Sequence, residues 1–168
     1  MNDQQNNQAA TVEVRPAAQS EWPALSNLYQ LYVHDFTEFV DLPLGSDGRF
    51  HYDPLPPYWT KPDRFPFMIW VDGKLAGFAL VKKGSAFSGK AEVWDMADFF
   101  VVRGERGKGI GCSVAMSLWQ QFPGPWEVRV ITANVPAQQF WRTATARFLG
   151  KAIQPELVTK GEETRYLF

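Results

Sequence analysis

Arg106-Gly107-Lys108-Gly109-Ile110-Gly111 is the stretch whose residue types and spacing could do chemistry. It follows the apolar run Phe99-Phe100-Val101-Val102 and opens a run with apolar residues at helical spacing, Ile110, Val114 and Leu118. That order reads as strand, glycine-rich turn, helix. The first amides of a helix have no partner within it and lie at the positive end of its dipole. Glycine lets the chain turn sharply and lets a ligand touch the main chain. Such a turn suits an anion, above all a phosphate. Arg106 and Lys108 add positive charge beside those amides.

Three phosphate-binding patterns compete for this loop. A P-loop would start at Gly104, but Ile110 stands where its Lys is required. A dinucleotide fingerprint lacks its last glycine, since Cys112 or Val114 occupies that place. The third pattern, R/Q-x-x-G-x-G/A after an apolar strand, is matched in full by Arg106, Gly109 and Gly111. On these residues the chain resembles the GNAT superfamily of acyl-CoA-dependent N-acyltransferases, whose loop amides hold the CoA pyrophosphate. A second match lies downstream. Trp126 to Ile131 alternates like a strand, and Asn134, Ala137, Phe140 and Trp141 then follow the family's Asn-x-x-Ala-x-x-apolar-Tyr up to its last position. Upstream, Val71 to Leu80 reads as a hairpin around Asp72-Gly73, as commonly precedes the CoA-binding half of the family. The resemblance spans roughly residues 12 to 150.

The resemblance implies acetyl-CoA as co-substrate; the cysteine and histidine content gives no expectation of a metal. Main-chain groups at Val101 and Val102 would bind the pantetheine arm, and an N–H there would polarise the thioester carbonyl. The loop from Arg106 through Gly107, Lys108, Gly109, Ile110 and Gly111 to Cys112 would hold the phosphates, with Asn134 as a further contact. Cys112 follows the loop directly, and either a covalent acyl-cysteine or a small wall residue suits that place. The amine must lose a proton before it attacks, so a base is expected on the fourth strand. Asp95 stands where several family members carry a catalytic Glu or His. Asp98 lies nearer the thioester, but simple alternation sets it on the opposite face unless a bulge intervenes. Glu92 is expected at the surface. In the family the region after the first helix forms the acceptor-side wall. Here it offers His34, Asp35 and Glu38, then Tyr52, Tyr58 and Trp59, whose aromatic faces and carboxylates suit a cationic amine. The departure from pattern is Trp141. The family usually has Tyr there to protonate the leaving thiolate, and an indole N–H is no useful acid in that range.

With 168 residues, 45% of them hydrophobic, the chain is long enough for one domain with a substantial core. A net charge of −1 gives no electrostatic case for nucleic acid or an anionic membrane. The single cysteine fits a reducing compartment, and the expected location is the cytoplasm. No apolar run approaches the ~18 residues of a membrane span. His34 and His51 lack ligand spacing, which argues against a zinc site. Residues 1–11 read as a disordered leader and 12–168 as one domain.

The spacing predicts a strand at 12–15, a helix over about 21–36 capped by Ser20, and a Pro- and Gly-rich loop over 41–66 with a short turn near Tyr58-Trp59. Strands follow at 67–71, 75–82 and 92–102, then a helix at 110–122, a strand at 126–132 and a helix at 135–147. Residues 148–153 and 164–168 would close the sheet as a last pair. The expected fold is a single α/β domain with a mixed, mostly antiparallel sheet of six to seven strands and flanking helices. The expected function is acetyl transfer from acetyl-CoA to a primary amine of a small molecule by direct attack. Two rivals are a protein N-terminal or lysine acetyltransferase and a non-catalytic acyl-CoA-binding module. A homodimer is one assembly open to it.

Overall fold

Asp72 and Gly73 both adopt a positive φ, 49° and 73°, in the two-residue turn that joins β2 (Arg64–Val71) to β3 (Lys74–Lys83). That turn matches the twist of a tight hairpin. Its strands are almost continuously buried, so both faces of this pair must be covered. In the computed structural model, which describes residues 10–168, they sit within a seven-stranded sheet. The expected leader lies outside the described residues except for its last two positions. One of these, Thr11, is already tied to Asp72 by hydrogen bonds in both directions, 2.8 and 3.0 Å long.

The sheet order is β1-β2-β3-β4-β5-β7-β6, with β1 at Val12–Pro16, β4 at Trp94–Val101 and β5 at Trp126–Ile131. The pair β4–β5 is parallel and every other neighbouring pair is antiparallel. Helix α1 (Trp22–Phe36) covers one face, its Leu25, Leu28, Tyr29 and Val33 packed with Met68, Phe78, Leu80 and Phe100. Helices α3 (Ile110–Gln121) and α4 (Val135–Leu149) cover the other, against Ile69, Ala79, Val81, Met96, Val128 and Val130. Among the described residues no helix is long and apolar enough to cross a membrane.

Three expectations are corrected. Ser20 does not cap α1. It lies in a short 3-10 turn, Gln19–Glu21, and the Glu21 carboxylate takes both Arg15 and the Ala18 N–H instead. The fourth strand starts at Trp94 rather than Glu92, because residues 84–93 fold as a turn around the Ser85 hydroxyl, which accepts from the Phe87 and Ser88 amides. The last pair is not 148–153 with 164–168. Helix α4 runs on to Leu149, where Gly150 closes it in the left-handed conformation. The partner of β7 (Glu163–Leu167) is therefore β6 (Glu156–Lys160). The turn expected near Tyr58 is helix α2 (Pro57–Thr60).

Candidate active site

One extra residue in β4 decides where its acids point. Against β3 the register runs Leu80 with Asp98, then Val81 with Met96 and Lys82 with Asp95, so Ala97 is skipped as a bulge. Three residues of plain alternation would set Asp95 and Asp98 on opposite faces. The bulge restores them to one face, shared with Leu80 and Lys82 and turned towards α1. The same strand then leaves its parallel partner. Pairing with β5 covers only Trp94, Asp95 and Met96, against Trp126, Glu127 and Val128. Beyond Met96 a gap opens beside Asp98.

The two acids live in different surroundings. Asp95 is fully buried, 3.2 Å from Lys82 Nζ and 3.0 Å from Arg129 Nη2. Burial raises its pKa, and the two cations pull it back. Asp98 keeps part of its surface open at the base of the gap. Desolvation pushes its pKa up to about 6, opposed by the Tyr32 hydroxyl and by Arg129, and reinforced by the charge of Asp95. Tyr29 and Tyr52 also sit within electrostatic reach of Asp98, so a wall of phenols from α1 and the following loop stands over it. A cavity of about 290 Å³ opens along that wall, lined in part by Tyr29, Gln30, Phe50 and Tyr52. The loop is held there by Gln30, whose side-chain amide brackets Phe50, accepting from its N–H at 2.9 Å and donating to its carbonyl at 3.1 Å.

The glycine-rich loop forms as a helix entrance. Gly107 and Gly109 have φ of 77° and 81°, a conformation that penalises any side chain. The first main-chain bond of α3 is Ser113 N–H to Gly109 carbonyl, 3.1 Å. The amides of Ile110, Gly111 and Cys112 therefore have no partner within the helix, and no side chain caps them. Those three amides fit a diphosphate. Gly111 packs closely, since a Cβ there would come 3.1 Å from the Phe140 ring, which would have to give by a few tenths of an ångström.

The other expected residues divide into several groups. Arg106 is turned away from the amides. Its Nε donates to the Val101 carbonyl at 2.7 Å and its Nη2 lies 2.6 Å from Asp35. Lys108 bridges to Glu105 at 3.0 Å. Val102 has both main-chain groups engaged, its N–H on Ala76 and its carbonyl by the Glu105 N–H. By the alternation of an antiparallel pair, Val101 then turns its N–H to the gap. Asn134 caps α4, accepting from Ala137 N–H at 3.0 Å. Trp141 is buried among Phe99, Phe140 and Trp119. Cys112 is a buried wall residue. His34 and Glu38 are exposed, while Asp35 is consumed by Arg103 and Arg106. Tyr58 is buried core, and Trp59 stacks on Trp22 with centroids 4.6 Å apart and donates to the Ala17 carbonyl. Sequence reasoning missed Tyr32, Lys82 and Arg129. The available signal was the alternation of the charged Glu127 and Arg129 with apolar residues along β5. Among the described residues no group of three or more His, Cys, Asp or Glu side chains is placed to hold a metal ion.

A splayed parallel pair, with an acid-bearing bulged strand and a glycine-opened helix beside it, defines an acyltransferase type of α/β domain. The chain belongs to the acetyltransferase (GNAT) family, whose model matches residues 25–144. Solved structures agree on the fold. An acetyltransferase from Thermus thermophilus superposes with a TM-score of 0.69 at 16% identity, over 95% of this chain and 96% of that one. A GNAT-family acetyltransferase from Streptococcus agalactiae gives 0.70 at 15% identity, over 93% and 92%. The aminoglycoside acetyltransferase AAC(6')-Ib, in complex with coenzyme A, gives 0.66 at 14% identity, over 94% and 93%. No curated protein matches the chain by sequence.

Proposed function

We propose that the protein transfers an acetyl group from acetyl-CoA to a primary amine of a small molecule, within a ternary complex in the cytoplasm. The observation that carries this reading is Asp98. A bulge at Ala97 turns it to the gap beside β5, and its pKa near 6 suits proton removal at neutral pH. Acetyl-CoA would supply the acyl thioester. The Ile110, Gly111 and Cys112 amides would hold its diphosphate, and the Val101 N–H would stabilise charge on the carbonyl oxygen. Asp98 would accept the proton of the incoming ammonium and so free the nitrogen lone pair. Asp95, neutralised by Lys82 and Arg129, would be a fixed charge behind it rather than the base. The phenols over Asp98 suit a cationic nitrogen. Like the aminoglycoside acetyltransferase of the same fold, the protein would act on a free small molecule.

The test is a panel of amines with acetyl-CoA, reading thiol release. Amine-dependent release that falls about 10²-fold or more in Asp98→Asn supports the reading. Acetyl-CoA binding without amine-dependent release would make the protein a binding module instead.

A further inference from the structure

We propose that the acceptor amine also carries an anionic group, a carboxylate or a phosphate, and that Arg129, with Arg165 beside it, receives that group. This rests on the reading of Asp98 as the acceptor end of the site. Arg129 lies on β5, on the face of Asp95 that looks away from α3 and α4, whose packing surface is Val128 and Val130. Its guanidinium spends one edge on Asp95, Nε at 3.4 Å and Nη2 at 3.0 Å. The end-on edge, Nη1 with the outer hydrogen of Nη2, has no partner among the described residues. That is the edge a carboxylate or phosphate grips with two parallel hydrogen bonds.

Asp95 is met by two cations, Lys82 and Arg129, and Arg129 Nε also lies 3.9 Å from the buried Glu127 carboxylate, so these four side chains balance in charge. An anionic group on the acceptor would be drawn by the open edge of Arg129 rather than by an excess of charge. Arg165, itself 3.2 Å from Glu163, lies beside that edge. The register of β5 with β7 sets Ile131 opposite Arg165 and Arg129 opposite Leu167, so the two arginines share a face one diagonal step apart. Tyr52 bears on Asp98, Arg129 and Glu163 together, which places the loop over the same patch.

The experiment compares each amino acid with its own carboxamide, and each aminoalkyl phosphate with its alcohol, as acceptors for thiol release. Wild-type protein should prefer the anionic member in kcat/KM, and the better of the two arms names the group. Arg129→Gln should lower that preference by about 10- to 100-fold, the value of a charge-assisted bond. Thermal stabilisation by acetyl-CoA should persist in the variant and shows that the fold and the cofactor arm are intact. Should Arg129→Gln not fold, Arg165→Gln should lower the same ratio. A wild-type preference for the neutral members, or for polyamines and aminoglycosides, overturns the proposal and leaves acetyl transfer standing. An unchanged ratio in the folded variant also overturns it. No turnover with any amine would overturn the transferase reading itself, and this proposal with it.

Discussion

Asp35 Oδ2 lies 2.6 Å from Arg106 Nη2, and Oδ1 of the same carboxylate lies 2.8 Å from Arg103 Nη2. The last turn of α1 is thereby tied to the loop that opens α3. Arg106 is held at its other side by the Val101 carbonyl and lies over the Phe100 ring. A residue that composition offers to a cationic substrate is instead occupied by two internal cations, which lower its pKa against the cost of burial.

Asp35→Asn should therefore leave kcat/KM for any active amine within about threefold. Both arginines are well exposed, and ion pairs of that kind contribute about 0–1 kcal/mol. Thermal melting should show only a small loss, weaker still at high salt. A loss of turnover beyond tenfold would return Asp35 to the acceptor site.

Asp98 predicts both a pH profile and a stability effect. Its carboxylate is the active form, so kcat/KM should rise with pH through about 6 and then level. Asp98→Asn should remove that limb. The sign for stability is opposite to that of an ordinary ion-paired acid. A native pKa raised above the unfolded value means that the folded protein binds the proton more tightly. Its contribution is fully present below the unfolded pKa and is lost as pH rises through about 6. Asp98→Asn should then melt higher than wild type at pH 7 while it loses activity. A lower melting temperature would show that the ionised carboxylate is stabilising.

Tyr32→Phe isolates the hydroxyl. That group and Arg129 both favour the Asp98 carboxylate, so its loss should move the acid limb of the pH profile upward. The ring still packs against Phe78 and Phe100, with centroids 5.8 and 6.1 Å away, so the fold should hold. A limb that stays in place would detach Tyr32 from Asp98.

Most of this site's chassis could be read from spacing, and most of its electrostatics could not. The loop motif is local, since glycines at 107, 109 and 111 act through their own φ or their own missing side chain. The bulge at Ala97 is a pairing event between two strands, invisible to alternation along one of them. Asp95 and Asp98 could therefore be named but not ranked. The fate of Asp35 depends on Arg103 and Arg106, which the fold brings from far along the chain. Strand β6 escaped because it is almost wholly exposed, with Leu157 the large apolar residue on its open side, so no burial period marks it.

Gly109→Asp tests the cofactor end. At a φ of 81° an added side chain is strained, though space around it is open. Its carboxylate would stand beside the amides proposed for the diphosphate. The stabilisation that acetyl-CoA gives wild-type protein, by binding only the native state, should vanish while the variant stays folded. An unchanged thermal shift would remove the diphosphate from this loop.

Trp141 occupies the position where the family usually carries a tyrosine, and its surroundings favour packing over acid chemistry. Its ring meets Phe140 at 4.7 Å, Phe99 at 5.3 Å and Trp119 at 6.1 Å between centroids, with almost no surface exposed. Phe99 belongs to the strand that borders the gap, so the indole supports the wall of that gap from behind. Trp141→Phe keeps a ring in that cluster and removes the N–H. It should cost less than about tenfold in turnover, whereas a true general acid is worth about 10²–10⁴. Trp141→Ala leaves a cavity and should cost about 3–5 kcal/mol of stability, with turnover falling as β4 loosens. The order of the two variants is decisive. Turnover as low in Phe as in Ala, with acetyl-CoA stabilisation intact, would give the indole N–H a direct part in the reaction, and the thiolate would not be leaving unaided.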